Sequence, residues 1–581
     1  MKRIGSAFLV LLTLLVVDSW AKGLSKQDDL DRLKSESVSN SVVPQQRVHR
    51  RGNICFCITN WGMLGSEAGQ VFESLGCLFC DHPDSQIPAP SFEFPSNSGL
   101  EYLFHGVIWI GGVVDGETLV TVGVEPYGWS WDFEFWPSSN IEEREWLGDQ
   151  ECITSFADTF IRPEGDIQIP DPENPDMRPH KALNIEIFQH TYSWQSSPFN
   201  DFVVLHYTIK NIGDKPISDV YLGFLMDTDI MYLSENPYGP EEGAQDDITG
   251  FLKNYVDPSG ETTEVRIAWA ADNDGQPYGG IFTESSPAGV IGIKLLSCSN
   301  PDPKISYNWH FTDSQGYPVD WGPWLKINQG KWKEMNPYGS GIYFPENAMG
   351  TPHGDISKYF ILSNGEIDFD QIFTDTLPKV DTSWVPADSQ LSKNFADGID
   401  IRFVYSFGPF DLAPGDTIFA VIALVAGENF HTDPLNRAAN LPNNPYLYYE
   451  HLDFSDLVYN AAKAVETYQD FVEVELERKK MPATFCLKQN YPNPFNSATS
   501  IPFTVHGKLK TENRPVHATL DIYNILGQKV RTLVDEKKKP GCYEIVWEGK
   551  DQKGNEVGSG IYLYKLKAGD YQQVRKMVLL K

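Results

Sequence analysis

Beyond its first twenty-one residues the chain lacks any stretch long and apolar enough to span a membrane as a helix. Positive charge is scarce as well. Lys and Arg number 47 against 79 Asp and Glu, leaving a net charge of −32 over 581 residues. That balance argues against a nucleic-acid partner, whose phosphates need a basic surface. It also argues against electrostatic binding to anionic lipid. Acidity favours solubility and can hold divalent cations, but specifies neither. The short motifs that announce an enzyme are missing too. There is no Gly-x-Ser-x-Gly elbow, since Gly339-Ser340-Gly341 and Gly558-Ser559-Gly560 read as turns, and no His-Glu-x-x-His, phosphate-binding loop or dinucleotide fingerprint. Catalysis is not thereby excluded, because glycosidase carboxylates follow no short pattern.

What is present points to a folded, exported, β-rich chain. Hydrophobic residues make up 41% and aromatics 13%, enough for large packed cores, and the length corresponds to about three or four domains. Abundant Gly, Pro, Trp, Tyr and Phe suit loop-rich β structure better than helix. The N-terminus sets Met1-Lys2-Arg3 before an apolar run from Ala7 to Val17 and then Ser19-Trp20-Ala21, the pattern of a cleavable secretory signal over residues 1–21. Residues 22–52 are polar and lack aromatics, and read as a flexible leader or short helix and not as a core segment.

Eight cysteines in an exported chain suggest disulfides. Four are clustered as Cys55-Phe56-Cys57 and Cys77-Leu78-Phe79-Cys80, a spacing that also has a zinc-like look. The export context favours disulfides, and the Cys-x-Cys first pair weakens zinc, so disulfide and metal stay open with the former preferred. Cys486 and Cys542 are candidates to staple the C-terminal domain if their strands lie close.

From residue 53 to 453 alternating segments dominate. Leu183 to Trp194 and Phe202 to Asn211 alternate. Ile212-Gly213-Asp214-Lys215-Pro216 makes a turn, and Val220 to Thr228 reads as the returning strand of a hairpin. Ile399 to Phe407, the turn Leu412-Ala413-Pro414-Gly415-Asp416 and the nearly continuous apolar strand Thr417 to Val425 repeat the scheme. A strand apolar on both faces lies inside a layered structure. The two hairpins are loosely alike, so the main region reads as one or two sandwich units. Phe454 to Glu477 carries Leu457, Val458, Ala461, Ala462, Val465, Tyr468 and Val472 at helical spacing and reads as a packing helix, followed by a charged linker to residue 484.

The segment from residue 485 to 581 differs in charge: sixteen Lys and Arg against nine Asp and Glu, a surplus of seven in an otherwise acidic chain. Short alternating runs, Ser500 to Val505, Ala518 to Tyr523, Lys529 to Asp535, Cys542 to Trp547, Ile561 to Leu566 and Tyr571 to Leu580, are separated by Gly and Asn/Asp turns. That is the pattern of a small β-sandwich.

Gln489-Asn490-Tyr491-Pro492-Asn493-Pro494-Phe495-Asn496 opens this segment. Ile522-Tyr523-Asn524-Ile525-Leu526-Gly527-Gln528-Lys529-Val530, Gly541-Cys542-Tyr543, Trp547-Glu548-Gly549, Ser559-Gly560-Ile561-Tyr562 and the closing Lys576-Met577-Val578-Leu579-Leu580-Lys581 follow in order. The whole tail resembles the type A C-terminal sorting domain of the type IX secretion system, and is similar to the Ig-like domain of flagellar hook-capping proteins. Ala498 departs from that pattern, where a Pro is common. The resemblance implies export through the inner membrane, recognition by secretion machinery at the outer membrane, and release or surface attachment. On it, Asn490, Tyr491, Pro492, Asn493, Pro494, Phe495, Gly527, Trp547, Gly560, Tyr562 and Lys576 are the sorting-motif residues. Gly99 to Gly112 and Phe410 to Asp416 resemble exported proteins bearing the same tail, a likeness that implies no activity.

Candidate chemistry is sparse. Asp227-Thr228-Asp229 and Asp272-Asn273-Asp274-Gly275 end apolar strands, and Asp246-Asp247 follows a Gly- and Glu-rich loop. Acids spaced by one residue can supply the several oxygens that calcium needs, so Asp227, Asp229, Asp272 and Asp274 are the candidate ligands. The plainer reading, solvated turn residues, is preferred, since Asp and Asn favour turns in any case. Trp109, Trp129, Trp131, Trp136 and Trp146 could stack on a surface glycan, though core packing explains them more simply. His190, His206 and His310 sit in strand patterns and read as structural. The expectation is an all-β protein with a large sandwich-type main region (53–453), a helix and linker (454–484) and an Ig-like sorting domain (485–581). It is secreted or displayed on the cell surface, non-enzymatic, and of an adhesive or glycan-binding kind. The alternative is a carbohydrate-active or other hydrolase carried by the same route.

Overall fold

The computed structural model describes residues 45–65, 90–123, 132–135, 141–145, 148–159, 168–171, 174–232, 246–311, 321–328, 352, 354–389, 391–480, 485–505, 515–539, 541–569 and 571–581. The signal peptide, most of the leader, Cys77, Cys80, Trp129, Trp131, Trp136 and Trp146 lie outside these residues. The chain is all-β in character and divides into two compact units, Met1–Tyr468 and Gln469–Lys581. The helix Ser455–Lys480 runs across that division.

The first unit is built on two large antiparallel sheets. One has eleven strands, with the run His105–Val114, Ile217–Thr228, Ile401–Leu412, Lys304–His310 at one side; the other has nine, with Val290–Cys298, Thr417–Gly427, Phe202–Asn211 and Ile185–Ser193 as consecutive neighbours. A single cluster of buried apolar side chains, including Leu205, Tyr207, Phe224, Phe403, Phe407 and Ile422, draws on both. The outer face of the first sheet is apolar as well. Trp109, Tyr221, Leu225 and Val404 bury against Ile361 and Leu362 of the helix Gly354–Ser363. Gly223 makes that approach possible, because a Cβ there would collide with Leu362. On the second sheet, Leu457 of the long helix lies against Gly292 and Gly427, and Asn460 Nδ2 donates to the Ala426 carbonyl at 3.0 Å. These helices explain why strands such as Thr417–Gly427 are apolar throughout: both faces are covered.

The two expected hairpins are not hairpins. Both turns form, but each carries the chain from one sheet to the other. Phe202–Asn211 pairs with Thr417–Gly427, and Ile217–Thr228 pairs with Ile401–Leu412, so each strand finds its partner in the other turn-linked pair. Asn211 locks the two turns together: its Nδ2 donates to the carbonyls of Lys215 (2.8 Å) and Leu412 (3.0 Å), and its own carbonyl accepts from Gly415 N–H. The likeness of the two segments thus reflects paired arches within one sandwich.

The second unit is a small sandwich. Cys486–Leu487, Thr499–Val505 and Gly541–Trp547 form one sheet, and Lys529–Lys538, Val516–Asn524, Gly560–Ala568 and Tyr571–Leu579 the other. Leu487, Phe495, Ile501, Phe503, Leu520, Ile522, Trp547, Tyr564, Leu566, Met577 and Leu579 fill its core. The expected Cys486–Cys542 staple is not there. Thr504 is the register partner of both residues, so they sit two strands apart. Two antiparallel spacings of roughly 5 Å each put their Cα atoms well beyond disulfide reach. Cys486 is a thiol, as are Cys55 and Cys298. Cys55 and Cys57 share one face of the strand Cys55–Thr59, where Cys55 Sγ lies 3.1 Å from Ser96 Oγ and Cys57 Sγ 3.7 Å from Gln46 Oε1.

Candidate functional site

The acidic residues singled out in the sequence gather at strand ends of the first unit. Asp227 is the penultimate residue of its strand, and Asp229 follows just beyond. On the adjacent strand Arg402 is the register partner of Asp227, and Asp400 precedes the strand start. Side chains alternate along a strand, so Asp227 and Arg402 share a face with their neighbours two positions away. On the other side His105 pairs with Asp227, and beyond Arg402 lies His310, giving a four-strand row His105–Asp227–Arg402–His310. Arg402 Nε donates to Asp227 Oδ2 at 2.9 Å, and Arg402 Nη1 lies 3.4 Å from Asp400 Oδ1. His105 Nε2 stands 3.9 Å from Asp227 Oδ2. Burial, then the Arg402 charge, pushes the His105 pKa down to about 3, which keeps its imidazole neutral at pH 7. Burial and the charges of Asp227 and Asp400 raise the pKa of Asp229 well above the usual carboxylate range, with Arg402 opposing.

Among the described residues, Asp227, Asp229 and Asp400 form the group whose carboxylate oxygens all come within 4.8 Å of one another. Asp400 escaped the sequence reading. The signal was its own acid-x-base spacing, Asp400-Ile401-Arg402, ahead of a strand, but nothing in the linear pattern says that this end faces Asp227.

Asp272 and Asp274 do not join that group. Asp272 faces Asp247 directly across the strands Asp247–Val256 and Thr262–Asp272. Its Oδ1 caps the turn by accepting from the N–H groups of Asp274 (2.8 Å) and Gly275 (2.5 Å). Asp274 lies 3.8 Å from Arg437, which also holds Asp397 at 2.8 Å. Burial, and then Asp274, raises the Asp246 pKa to about 6, opposed by Arg437. Buried oxygens of Asp246, Asp247, Asp272 and Asn273 lack hydrogen-bond partners among the described residues.

Of the aromatic and histidine candidates, Trp109, His190, His206 and His310 are buried, and the other four tryptophans lie outside the described residues. Trp109 is fully buried. His190 Nε2 meets Glu151 at 3.2 Å and its Nδ1 meets Tyr192 Oη at 2.8 Å, a network enclosed in the core.

In the second unit the motif residues separate into frame and tip. Asn490 is buried: its N–H donates to Tyr564 Oη at 2.9 Å, and its Nδ2 donates to Thr499 Oγ1 at 2.9 Å and to the Pro492 carbonyl at 3.2 Å. Asn493 Oδ1 accepts from Val578 N–H at 2.9 Å. Phe495 packs on Trp547 and exchanges backbone hydrogen bonds with Val578 and Leu580. Gln489 Nε2 donates to the Lys576 carbonyl at 2.9 Å. The opening motif is therefore stitched to the last strand. Tyr562 closes its own turn, donating to the Gly558 carbonyl two residues before Gly560. Gly527, at φ +76°, completes a turn whose Asn524 Oδ1 accepts from Leu526 and Gln528 N–H groups. The tips are open: Tyr491 is 79% exposed, Ile525 71% and Leu526 77%.

The FlgD Ig-like domain family matches residues 500–571, within this unit. No curated protein sequence matches the chain. Among solved structures, the chain is similar to a polysaccharide lyase at 8% identity and a TM-score of 0.21, covering 94% of this chain and 47% of that one. It is similar to dimeric latent PorU from Porphyromonas gingivalis at 11% identity and a TM-score of 0.15, covering 88% and 37%. A third is PorZ from Porphyromonas gingivalis, a surface component of the type-IX secretion system, at 10% identity and a TM-score of 0.12, covering 95% and 54%. The chain thus spans about half the length of the first of these. The family match, on a unit that is itself a two-sheet sandwich, puts an Ig-like domain in the C-terminal unit.

Proposed function

We propose that the C-terminal unit is a type IX sorting domain that delivers the first unit to the cell surface or the medium. The observation that carries this reading is the division of the motif residues. Asn490, Phe495, Trp547 and Tyr562 hold a closed sandwich together, whereas Tyr491, Ile525 and Leu526 put apolar side chains into solvent, where folding gains nothing from them. Exposed apolar side chains at such tips suit recognition by another protein. The partner in this reading is the outer-membrane secretion machinery, and the address is extracellular or the outer cell surface. Removing residues 485–581 from the full chain tests it. The truncated protein is expected to stay behind the outer membrane while the full chain passes it; equal passage of both would overturn the reading.

In the same proposal the first unit is the cargo, a non-enzymatic module of an adhesive or glycan-binding kind. The carboxylates that the fold gathers support this over a hydrolase. Asp227 is held by Arg402, Asp397 and Asp274 by Arg437, and Asp272 by backbone N–H groups, each in a structural role. The hydrolase alternative calls for two carboxylates facing each other across a substrate cleft. Incubating the purified protein with a panel of polysaccharides separates the two: retention without new reducing ends fits the first, and release of fragments fits the second.

A further inference from the structure

We propose that Asp227, Asp229 and Asp400 form a calcium site that ties together the ends of two adjacent strands of the first sheet. Three carboxylates from two strand ends meet within 4.8 Å. Against them stands one guanidinium, Arg402, which bonds Asp227 Oδ2 and approaches Asp400. Three carboxylates against one guanidinium, counted among the described residues, form an oxygen donor set that suits a hard cation.

A second observation is independent of that count. Asp227 is 2% exposed, and while its Oδ2 is held by Arg402, its Oδ1 has no hydrogen-bond partner among the described residues. The carboxylate of Asp229 makes no hydrogen bond or ion pair with the described residues. A buried carboxylate oxygen without a partner costs free energy, and a hard cation removes that cost by taking the lone pair. All donors are oxygens, which selects calcium or magnesium over softer metals. Flexible, asymmetric carboxylates from two strand ends suit the irregular shell of calcium better than the strict octahedron of magnesium. Asp400 keeps 16% side-chain exposure, which leaves a route for the ion and for water ligands.

The test uses the purified full-length protein stripped with a chelator. Calcium is added back while thermal melting is followed, and terbium emission is titrated and then competed with calcium. The site predicts a melting midpoint that rises with calcium concentration, a saturable terbium signal displaced by calcium, and a weaker response to magnesium. Asp229→Asn and Asp400→Asn should each weaken calcium by about tenfold or more, since even outer-shell changes at metal sites cost that much. Asp433→Asn, on an exposed loop, should leave it unchanged. If the variants fail to fold, the wild-type terbium titration still decides. No calcium-dependent shift together with no saturable emission would overturn the proposal. So would a calcium response that survives Asp229→Asn and disappears in Asp272→Asn, which would move the ion to the neighbouring acidic turn.

Discussion

Asp227 and Arg402 are direct register partners on adjacent strands, and Arg402 Nε donates to Asp227 Oδ2 at 2.9 Å in a nearly closed environment. The pair sits where the first sheet runs from apolar interior to acidic rim. Removing one member of a buried pair leaves the other as an uncompensated charge, at about 3–5 kcal/mol. Arg402→Leu in chelator is expected to lower the unfolding free energy by that order. The double variant Asp227→Asn, Arg402→Leu should recover part of the loss. Urea unfolding of these two variants and of the single Asp227→Asn checks this; strictly additive effects would show that the two side chains do not interact.

Tyr564 performs a similar locking role in the C-terminal unit with a neutral group. Its hydroxyl accepts from Asn490 N–H and donates to the Lys488 carbonyl, both at 2.9 Å. Tyr564→Phe keeps the ring in the core and deprives both backbone groups of their partner, with an expected loss of about 1–3 kcal/mol. Hydrogen exchange should show faster opening of residues 488–495. Unchanged protection of Asn490 N–H would contradict the assignment.

His180 gives a pH dependence with a definite sign. It is buried between Asp158 (Nε2 to Oδ1, 2.9 Å) and Asp132 (Nδ1 to Oδ1, 3.5 Å). Burial alone disfavours the imidazolium, but the hydrogen bond to Asp158 and the charges of Asp132, Asp158 and Asp355 outweigh it and raise the pKa to about 9. The folded state therefore holds this proton more tightly than the unfolded chain, whose value is about 6.5. The stabilisation is fully present below about pH 6.5 and is lost as pH rises through about 9, up to about 3 kcal/mol in all. The stability difference between wild type and His180→Gln should be largest near pH 6 and shrink towards pH 9. A difference independent of pH would rule out a charged His180.

Much of this architecture was legible in the sequence, and the parts that were not have physical reasons. The six alternating segments of the tail all became strands, because each has one buried face and a Gly, Asn or Asp turn at its end. The turns at Ile212–Pro216 and Leu412–Asp416 were legible too, but not the strands' partners. Alternation tells which face of a strand is buried and not which neighbour it takes, so the sequence alone does not reveal that Phe202–Asn211 pairs with Thr417–Gly427 and not with the strand after its own turn. Asp227 and Asp229 stood out as paired acids at a strand end, whereas Asp400 reaches them only because the two arches pair. Asp272 and Asp274, equally acidic in pattern, turned out to shape a turn beside Asp247 and Arg437. Cys486 and Cys542 show the same limit: spacing along the chain did not reveal that Thr504 lies between them.

The sorting reading is tested most directly by sufficiency. Residues 485–581 would be fused to an unrelated folded reporter behind a secretory signal and expressed in a bacterium that has type IX secretion. The account predicts that the reporter reaches the surface or the medium with the tail and stays in the periplasm without it. It also predicts that Tyr491→Ser or Leu526→Ser blocks passage while leaving the tail folded. A reporter retained in the periplasm despite an intact, folded tail would contradict it.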